Sequence, residues 1–585
     1  MNVLRVGGPG TLYLTRRLGG QLVVCGRGTA VVDFSDPGAP LTDFLYPYLD
    51  TSVARITGFS GSGTLVFRGR PASTNTQFLV GAIGHNNAGT YGDGYFRLEL
   101  NGATSLTISA FTIYSGNGTL YFSGISFPTA NISLRGSSFN GNGLIASATN
   151  TSRADAILTG ASGFGDFVAF AFPAVTLTPF NSAVAFPTSG GLTTTNYLLS
   201  GSQTQVGNTS ASSIRLVTTT AAGVLNSTGF NLAVNNILLT GNSGGTYTIT
   251  GTYGAALGLS NYLISNVSDS ELQIDIPLTI GSSFFVLLSG PGTISLGTPT
   301  RTYQANAGYT TAYQLQASEC RIYAGSDNLT PFFGTGSIFV CAVLRLLGTG
   351  TGRFISNPIT LTQNSVLQVD EDWTLNSILF ATNGTAGGEQ RSQVYVAAAK
   401  TLTVNYWESA SYSTTTAPLL PSVTWTQNRK TGPGTIIYKA LPISGAPVPL
   451  WRLEEGFAEF NLTSDTVYGR VVSPMPIEIL TGISLRYNST VDHFAPFVTY
   501  GAGSVVKDNI NTIKVRAYNS FTGGLIINAG EWNAQFANAV GDGNVTLNGG
   551  TLRASAVDED NYVLRIEGNL IFAGGVLAIG DAYVA

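Results

Sequence analysis

One short phrase recurs along this chain of 585 residues and limits what the chain can become: glycine, any residue, glycine, threonine, leucine or isoleucine, any residue, then an apolar side chain. It reads GPGTLYL from Gly8, GSGTLVF from Gly61, GNGTLYF from Gly116, GPGTISL from Gly290 and GPGTIIY from Gly432, with a looser NGGTLRA from Asn548. Glycine supplies a turn with positive φ and threonine opens a strand with its hydroxyl toward water. The next aliphatic residue points inward, and a second apolar group follows two positions later on the same face. Other segments, such as YFRLELNG, TYTITGTYG and TLTVNYWES, alternate at period two between Gly and Asn turns, and β-branched and aromatic residues fill them. Helical periodicity is confined to short pieces around Glu454–Phe460 and Asn533–Ala539. The expectation is an all-β protein. Because the phrase starts at no fixed interval, it is a reused turn-plus-strand and not a repeat of constant length.

Composition narrows the function classes. Charged residues make up only 10% of the chain, apolar residues 43%, and 72 residues are glycine. A chain so apolar yet free of any run of about eighteen apolar residues reads as packed strands with a Thr, Ser and Asn surface, without a membrane-spanning helix. A net charge of −4 with no basic run beyond Arg16-Arg17 and Arg429-Lys430 argues against nucleic acid as a partner. The opening MNVLRVGGPGTLYL shows no apolar core of a secretion signal. Asn-x-Ser/Thr triplets run from Asn117 to Asn544, as chance supplies in a chain rich in these residues.

The stretch Thr522–Leu552, TGGLIINAGEW followed by ANAVGDGNVTLNGGTL, resembles the autotransporter-associated β-strand repeat, with Trp532 and Val540 standing where that repeat usually has Leu. The resemblance implies a right-handed parallel β-helix, in which short strands stack coil upon coil about 4.8 Å apart. Such a solenoid is expected at least in the N- and C-terminal parts, with β-sandwich-like insertions left open between them. Composition shifts suggest a solenoid over 1–160 and a β-rich stretch with an aromatic and proline excursion over 161–300. A β-rich stretch with proline-rich loops follows over 301–470, then a C-terminal solenoid over 471–585. Stacking is also expected to keep like charges from lying directly above one another.

Chemistry has few candidates. His85 and His493 are isolated, and no Cys-x-x-Cys, phosphate loop or dinucleotide fingerprint is present. Acidic clusters occur at Asp370, Glu371 and Asp372 and at Asp558, Glu559 and Asp560. On a strand Asp370 and Asp372, or Asp558 and Asp560, would share a face and could hold Ca²⁺ or act as paired carboxylates on a glycan, against the plainer reading of solvated turn charges. Trp373, Trp407, Trp425, Trp451 and Trp532 could stack on sugars but more simply fill a core. Cys320 and Cys341 lie 21 residues apart. A coil of about 20–25 residues would put them at equivalent corners, within reach of a disulfide.

These features lead to the expectation of a non-enzymatic structural or surface protein, with copies of itself as partners and no catalytic residues or obligatory cofactor. Its place would be an extracellular or virion-surface coat, sheath or fibre, with surface glycans as a further partner. Two alternatives are a polysaccharide-binding or -cleaving β-helix like a phage tailspike, and a capsid subunit of β-sandwich domains.

Overall fold

The fold comes from a computed structural model. It is described for residues 3–6, 10–18, 21–25 and 28–41, for strands between Ile56 and Pro179, and for 564–579. It is also described for 184–555 apart from 221, 253–254, 260–262, 281–285, 307–311, 363–364, 383–391, 412–426, 441–449, 464–474 and 496. No helix occurs among the described residues. The chain divides into two compact units, Met1–Gly352 with Thr362–Ser365, and Arg353–Leu361 with Val366–Ala585.

In the first unit the chain visits two ladders alternately. Val3–Val6, Gln21–Cys25, Ile56–Phe59, Gly81–His85 and Phe111–Tyr114 form one, all in parallel. Thr11–Leu14, Thr29–Asp33, Gly61–Arg68, Asp93–Asn101 and Thr119–Gly124 form the other, also in parallel. A chain that returns to each ladder in the same direction winds as a solenoid. Antiparallel pairing among the described residues is confined to Ala156–Thr159, Gly165–Ala171, Thr176–Pro179 and one bridge from Ile132–Arg135. Winding resumes beyond it. Ala222–Asn226, Thr246–Thr250, Glu271–Asp275, Thr293–Leu296, Glu319–Ala324 and Val343–Gly348 stack in turn opposite a second ladder that starts at Asn196–Ser200.

The second unit follows the same plan. Phe354–Leu361, Trp373–Thr382, Thr401–Ser411, Thr435–Tyr438, Phe457–Phe460 and Ser484–Tyr487 form one parallel ladder. That ladder continues through Ser504–Lys507, Leu525–Ile527, Val545–Leu547 and Leu570–Phe572. Another ladder runs from Val366–Val369 to Ser520–Phe521. A third consists of His493–Ala495, Thr512–Val515, Glu531–Ala534, Thr551–Ala554 and Val576–Ile579. The protein is thus an all-β parallel solenoid. Parallel pairing removes the β-sandwich alternative for these residues, because sandwiches are built from antiparallel sheets. It also passes from Thr293–Leu296 to Glu319–Ala324 and from Leu450–Leu453 to Met475–Ile479, so the composition shifts near 300 and 470 do not interrupt the stack.

Alternation places the core. Leu225, Ile249, Ile274, Leu296, Ile322 and Leu346 are register partners in succession and all are buried, the inward column of six coils. The recurrent phrase behaves as its residues dictate. Gly290 has φ 118° and Gly432 φ 76°, and Ile294 and Ile436, one residue past each threonine, are fully buried. Coil length varies widely. Val505 pairs with Leu525, 20 positions on, while Trp373 pairs with Leu402 and Val394 with Lys430, 29 and 36 positions on. Extra residues leave the coil between strands, which explains why no constant repeat is visible. Trp532, which departs from the repeat's usual Leu, is buried on Leu552, donates Nε1–H to Ala539 O (3.3 Å) and meets Tyr487 edge-on.

Candidate functional site

The acidic cluster at 370–372 does not lie on a strand. It forms the corner between Val366–Val369 and Trp373–Thr382, so its three side chains splay instead of alternating across a pleat. Gln368 Nε2 donates to both oxygens of Asp370 (3.0 and 3.3 Å), and Glu371 takes Lys400 Nζ at 2.6 Å with Arg353 at 3.6 Å. Asp372 Oδ1 accepts the Thr401 N–H of the next coil (2.7 Å). Each carboxylate serves a separate partner. Among the described residues no three His, Cys, Asp or Glu side chains converge as a metal site would require. Asp558, Glu559 and Asp560 lie outside the described residues, as does Trp425, and the side chain of His85 is not described. His493 is buried, stacked near Tyr487.

The cysteine register differs from the 21-residue expectation. Cys320 pairs with Leu344, 24 positions on, and Leu315 pairs with Val340, 25 positions on. Cys341 follows Val340 and donates its N–H to Leu315 O (2.9 Å), so it occupies the corner and not the strand that carries Cys320. The coils here are simply longer than 21 residues. Both sulfurs remain thiols, and burial pushes Cys320 up to about 12, which makes it a small hydrophobe in the column Leu272, Ile294, Cys320, Leu344.

Tryptophan goes inward. Trp373, Trp407, Trp451 and Trp532 are all buried, which removes them as sugar platforms. Trp407 packs on Tyr438 (ring centroids 4.7 Å), Trp451 (6.0 Å) and Phe460 (6.4 Å), and the stack continues through Phe460 to Phe497 (4.8 Å) and Tyr487 (5.4 Å).

Charge is arranged in ways the sequence reading missed. Arg321 stacks directly on Arg345, and Arg429 on Arg452, against the expectation that like charges avoid each other. Carboxylates on the same strand and on neighbouring coils resolve the repulsion. Arg321 bridges Glu271 (2.7 Å) and Glu319 (2.5 Å), while Arg452 sits between Glu454 (3.3 Å) and Glu478 (3.4 Å). A second network joins four coils. Asp275 Oδ2 accepts from Arg301 Nη1 (2.9 Å) and Thr250 Oγ1 (3.0 Å), and Asp327 accepts from the Thr302 N–H (2.9 Å) and hydroxyl (2.5 Å). Burial raises the Asp275 carboxyl against the pull of Arg301. Burial also acts upward on Asp327, but the Thr302 donors outweigh it and hold that carboxyl low.

Two lysines occupy inward register positions. Lys430 stands between Val394 and Leu453, and Lys507 between Tyr487 and Ile527, all buried. Each ammonium turns into the adjacent corner. Lys430 Nζ donates to Thr431 O (3.0 Å), Gly432 O (2.7 Å) and, one coil on, Glu455 O (3.0 Å). Lys507 Nζ donates to Asp508 O (2.7 Å), Asn509 O (2.6 Å), Asn511 Oδ1 (2.8 Å) and Ala529 O (3.3 Å). The signal was present in the alternation of SVVK, where Val505 and Lys507 share a face.

Burial pulls both lysines down to about 8, opposed by Glu455 at Lys430 and by Asp508 and Asp492 at Lys507. Below pH 8 folded and unfolded chains both carry the ammonium and the cost of burying it is fully present. From pH 8 toward 10.5 the folded chain gives up protons that the unfolded chain keeps, so stability rises. Buried Tyr247, Tyr303, Tyr438 and Tyr487 are raised above 10.0 by burial, so above pH 10 the unfolded chain ionises first and stability falls. The urea midpoint should therefore climb between pH 8 and about 10 and then drop, and Lys430→Met with Lys507→Met should flatten the climb. A midpoint that declines steadily from pH 7 would contradict this.

Compared with protein families, with curated proteins and with solved structures, the chain matches none.

Proposed function

We propose that this chain is a non-enzymatic structural protein. Its solenoid associates with copies of itself in, or on, an extracellular or virion-surface coat, sheath or fibre. One observation carries the reading. Leu570–Phe572 and Val576–Ile579 are the last described strands of two ladders. Phe572 and Ile579 continue the inward columns of Leu547 and Ala554, which are buried, yet each is 57% exposed. Exposed apolar side chains on strands that stack in parallel are suited to packing against a second copy of the chain. A contact there with a different surface of the next copy is heterologous and, where its rotation does not close, builds an open polymer. The resemblance of Thr522–Leu552 to a surface-protein repeat and the scarcity of charge support the same reading. The carboxylates of the 370–372 corner, which hydrolysis or Ca²⁺ would need, are engaged in bonds within and between coils.

Sedimentation velocity and negative-stain microscopy across a concentration series test it. Oligomers or filaments should grow with concentration, and Phe572→Asp with Ile579→Asp should shift the distribution to the smallest species. A single monomer peak at every concentration, or polymers indifferent to the double variant, would overturn the reading.

A further inference from the structure

The outer face of the third ladder in the second unit carries a cationic and aromatic surface. Inward residues His493, Ile513 and Trp532 are register partners and buried, so the next column, Phe494 and Lys514, faces outward. Beyond Lys514 the same alternation turns Arg516 and Tyr518 outward, while Ala517 and Asn519 are buried. Lys514 Nζ lies 5.5 Å from the centroid of the Phe494 ring and Arg516 Cζ lies 4.8 Å from it. Two cations thus lie against one phenyl ring. Arg516 is exposed, and its Nε also donates to Gln535 Oε1 (2.8 Å).

Among the described residues these two outward-facing cations have no counter-charge. Arg321, Arg429, Arg452, Arg486 and Arg553 each face a carboxylate, but among the described residues neither Lys514 nor Arg516 is in an ion pair. The nearby acids are committed elsewhere. Asp492 accepts the Thr512 N–H (2.6 Å), and Glu531 holds Arg553 (2.8 Å). Tyr518 is 53% exposed, and Phe536 on the adjoining coil is 45% exposed. Both rings therefore offer an apolar face to water in the same unit as the two cations.

We propose that this face binds an acidic polysaccharide, with the carboxylate or sulfate of a sugar received by Lys514 and Arg516 and the apolar face of a sugar ring covering Tyr518 or Phe536. Two uncompensated cations match a polymer with one charge per sugar or per few sugars. Nucleic acid needs many more contacts to its phosphates, and the net charge of −4 opposes it. An acidic peptide would find the charge but has no need of the flanking rings. The surface is separate from the ladder edge that carries the assembly reading, so each can fail without the other.

The test uses the full chain and four immobilised polymers: polygalacturonate, dextran sulfate, neutral dextran and polyglutamate. At low salt the chain should bind polygalacturonate or dextran sulfate, and the stronger of the two identifies carboxylate or sulfate as the anion. Lys514→Gln with Arg516→Gln should weaken that binding about tenfold, and Tyr518→Ser with Phe536→Ser should weaken it without changing its salt dependence. All four side chains face outward, and an unchanged far-UV spectrum and urea midpoint confirm that the variants fold. The proposal is overturned if neither acidic polysaccharide binds, if neutral dextran or polyglutamate binds equally well, or if the Lys514 and Arg516 substitutions leave binding intact.

Discussion

A Gly456→Ala variant is expected to lose about 3–5 kcal/mol of stability, among the larger effects a single methyl group can have. Gly456 has φ 68°, where an L side chain costs about 1–2 kcal/mol on its own. A Cβ there would also lie 2.2 Å from Gly434 O, 2.6 Å from Gly432 O and 2.8 Å from Pro433 C, all backbone atoms of the preceding coil. Backbone cannot rotate away as a side chain can, so the corner must open. Opening it pulls on Glu455 O, which accepts from Lys430, and so disturbs the caged ammonium as well. Gly482 is the control. It has φ 79° but nothing within 4 Å of its added Cβ, so Gly482→Ala should cost only the conformational part. Urea midpoints of the two variants separate strain from collision, and equal losses would show that coil-to-coil contact is not what demands glycine at 456.

Trp407→Ala should cost about 3–5 kcal/mol, the range for removing a large buried aromatic side chain. It vacates the middle of the stack formed with Tyr438, Trp451 and Phe460, and neighbouring coils are held at fixed strand spacing and cannot close the gap. A subtler pair tests the polar part. Trp407 Nε1 donates to Ala440 O (3.0 Å), whereas Trp373 Nε1 is buried without a hydrogen-bond partner. Trp407→Phe removes the indole donor from a half-buried carbonyl, while Trp373→Phe removes an unsatisfied donor. The first should be the more damaging by about 1–2 kcal/mol. Equal losses, or the reverse order, would mean packing alone decides at both sites.

The resemblance of Thr522–Leu552 led to a parallel solenoid, and the described ladders are parallel apart from the pairing around Ala156–Pro179. GPGTIIY from Gly432 specified a positive-φ glycine, a strand and an inward Ile436, because all three follow from sterics and period two within seven residues. The burial of tryptophan followed from the same economy of apolar surface. The candidate sites were less legible. Asp370 and Asp372 looked like neighbours on a pleat because the strand's end at Val369 is set by the turn into the next sheet, not by the acidic residues themselves. Lys507 was readable as inward from Val505, but a charge at an inward position is credible only once the carbonyls of Asp508, Asn509 and Ala529 are seen around it. Arg321 over Arg345 became tolerable only when Glu271 and Glu319 were placed beside them.

Sequence alone therefore determined that this chain is made of short strands, where many of them turn, and which side chains in each point inward, since these depend on atoms only a few bonds apart. Tertiary structure alone decided which residue stacks on which. Cys320 lies against Leu344, and Lys514 and Arg516 meet over Phe494, because each pairing depends on how many residues the intervening coil holds and loops out. An insertion between strands shifts every later partner while leaving the local alternation untouched, and no period read along the chain contains that count.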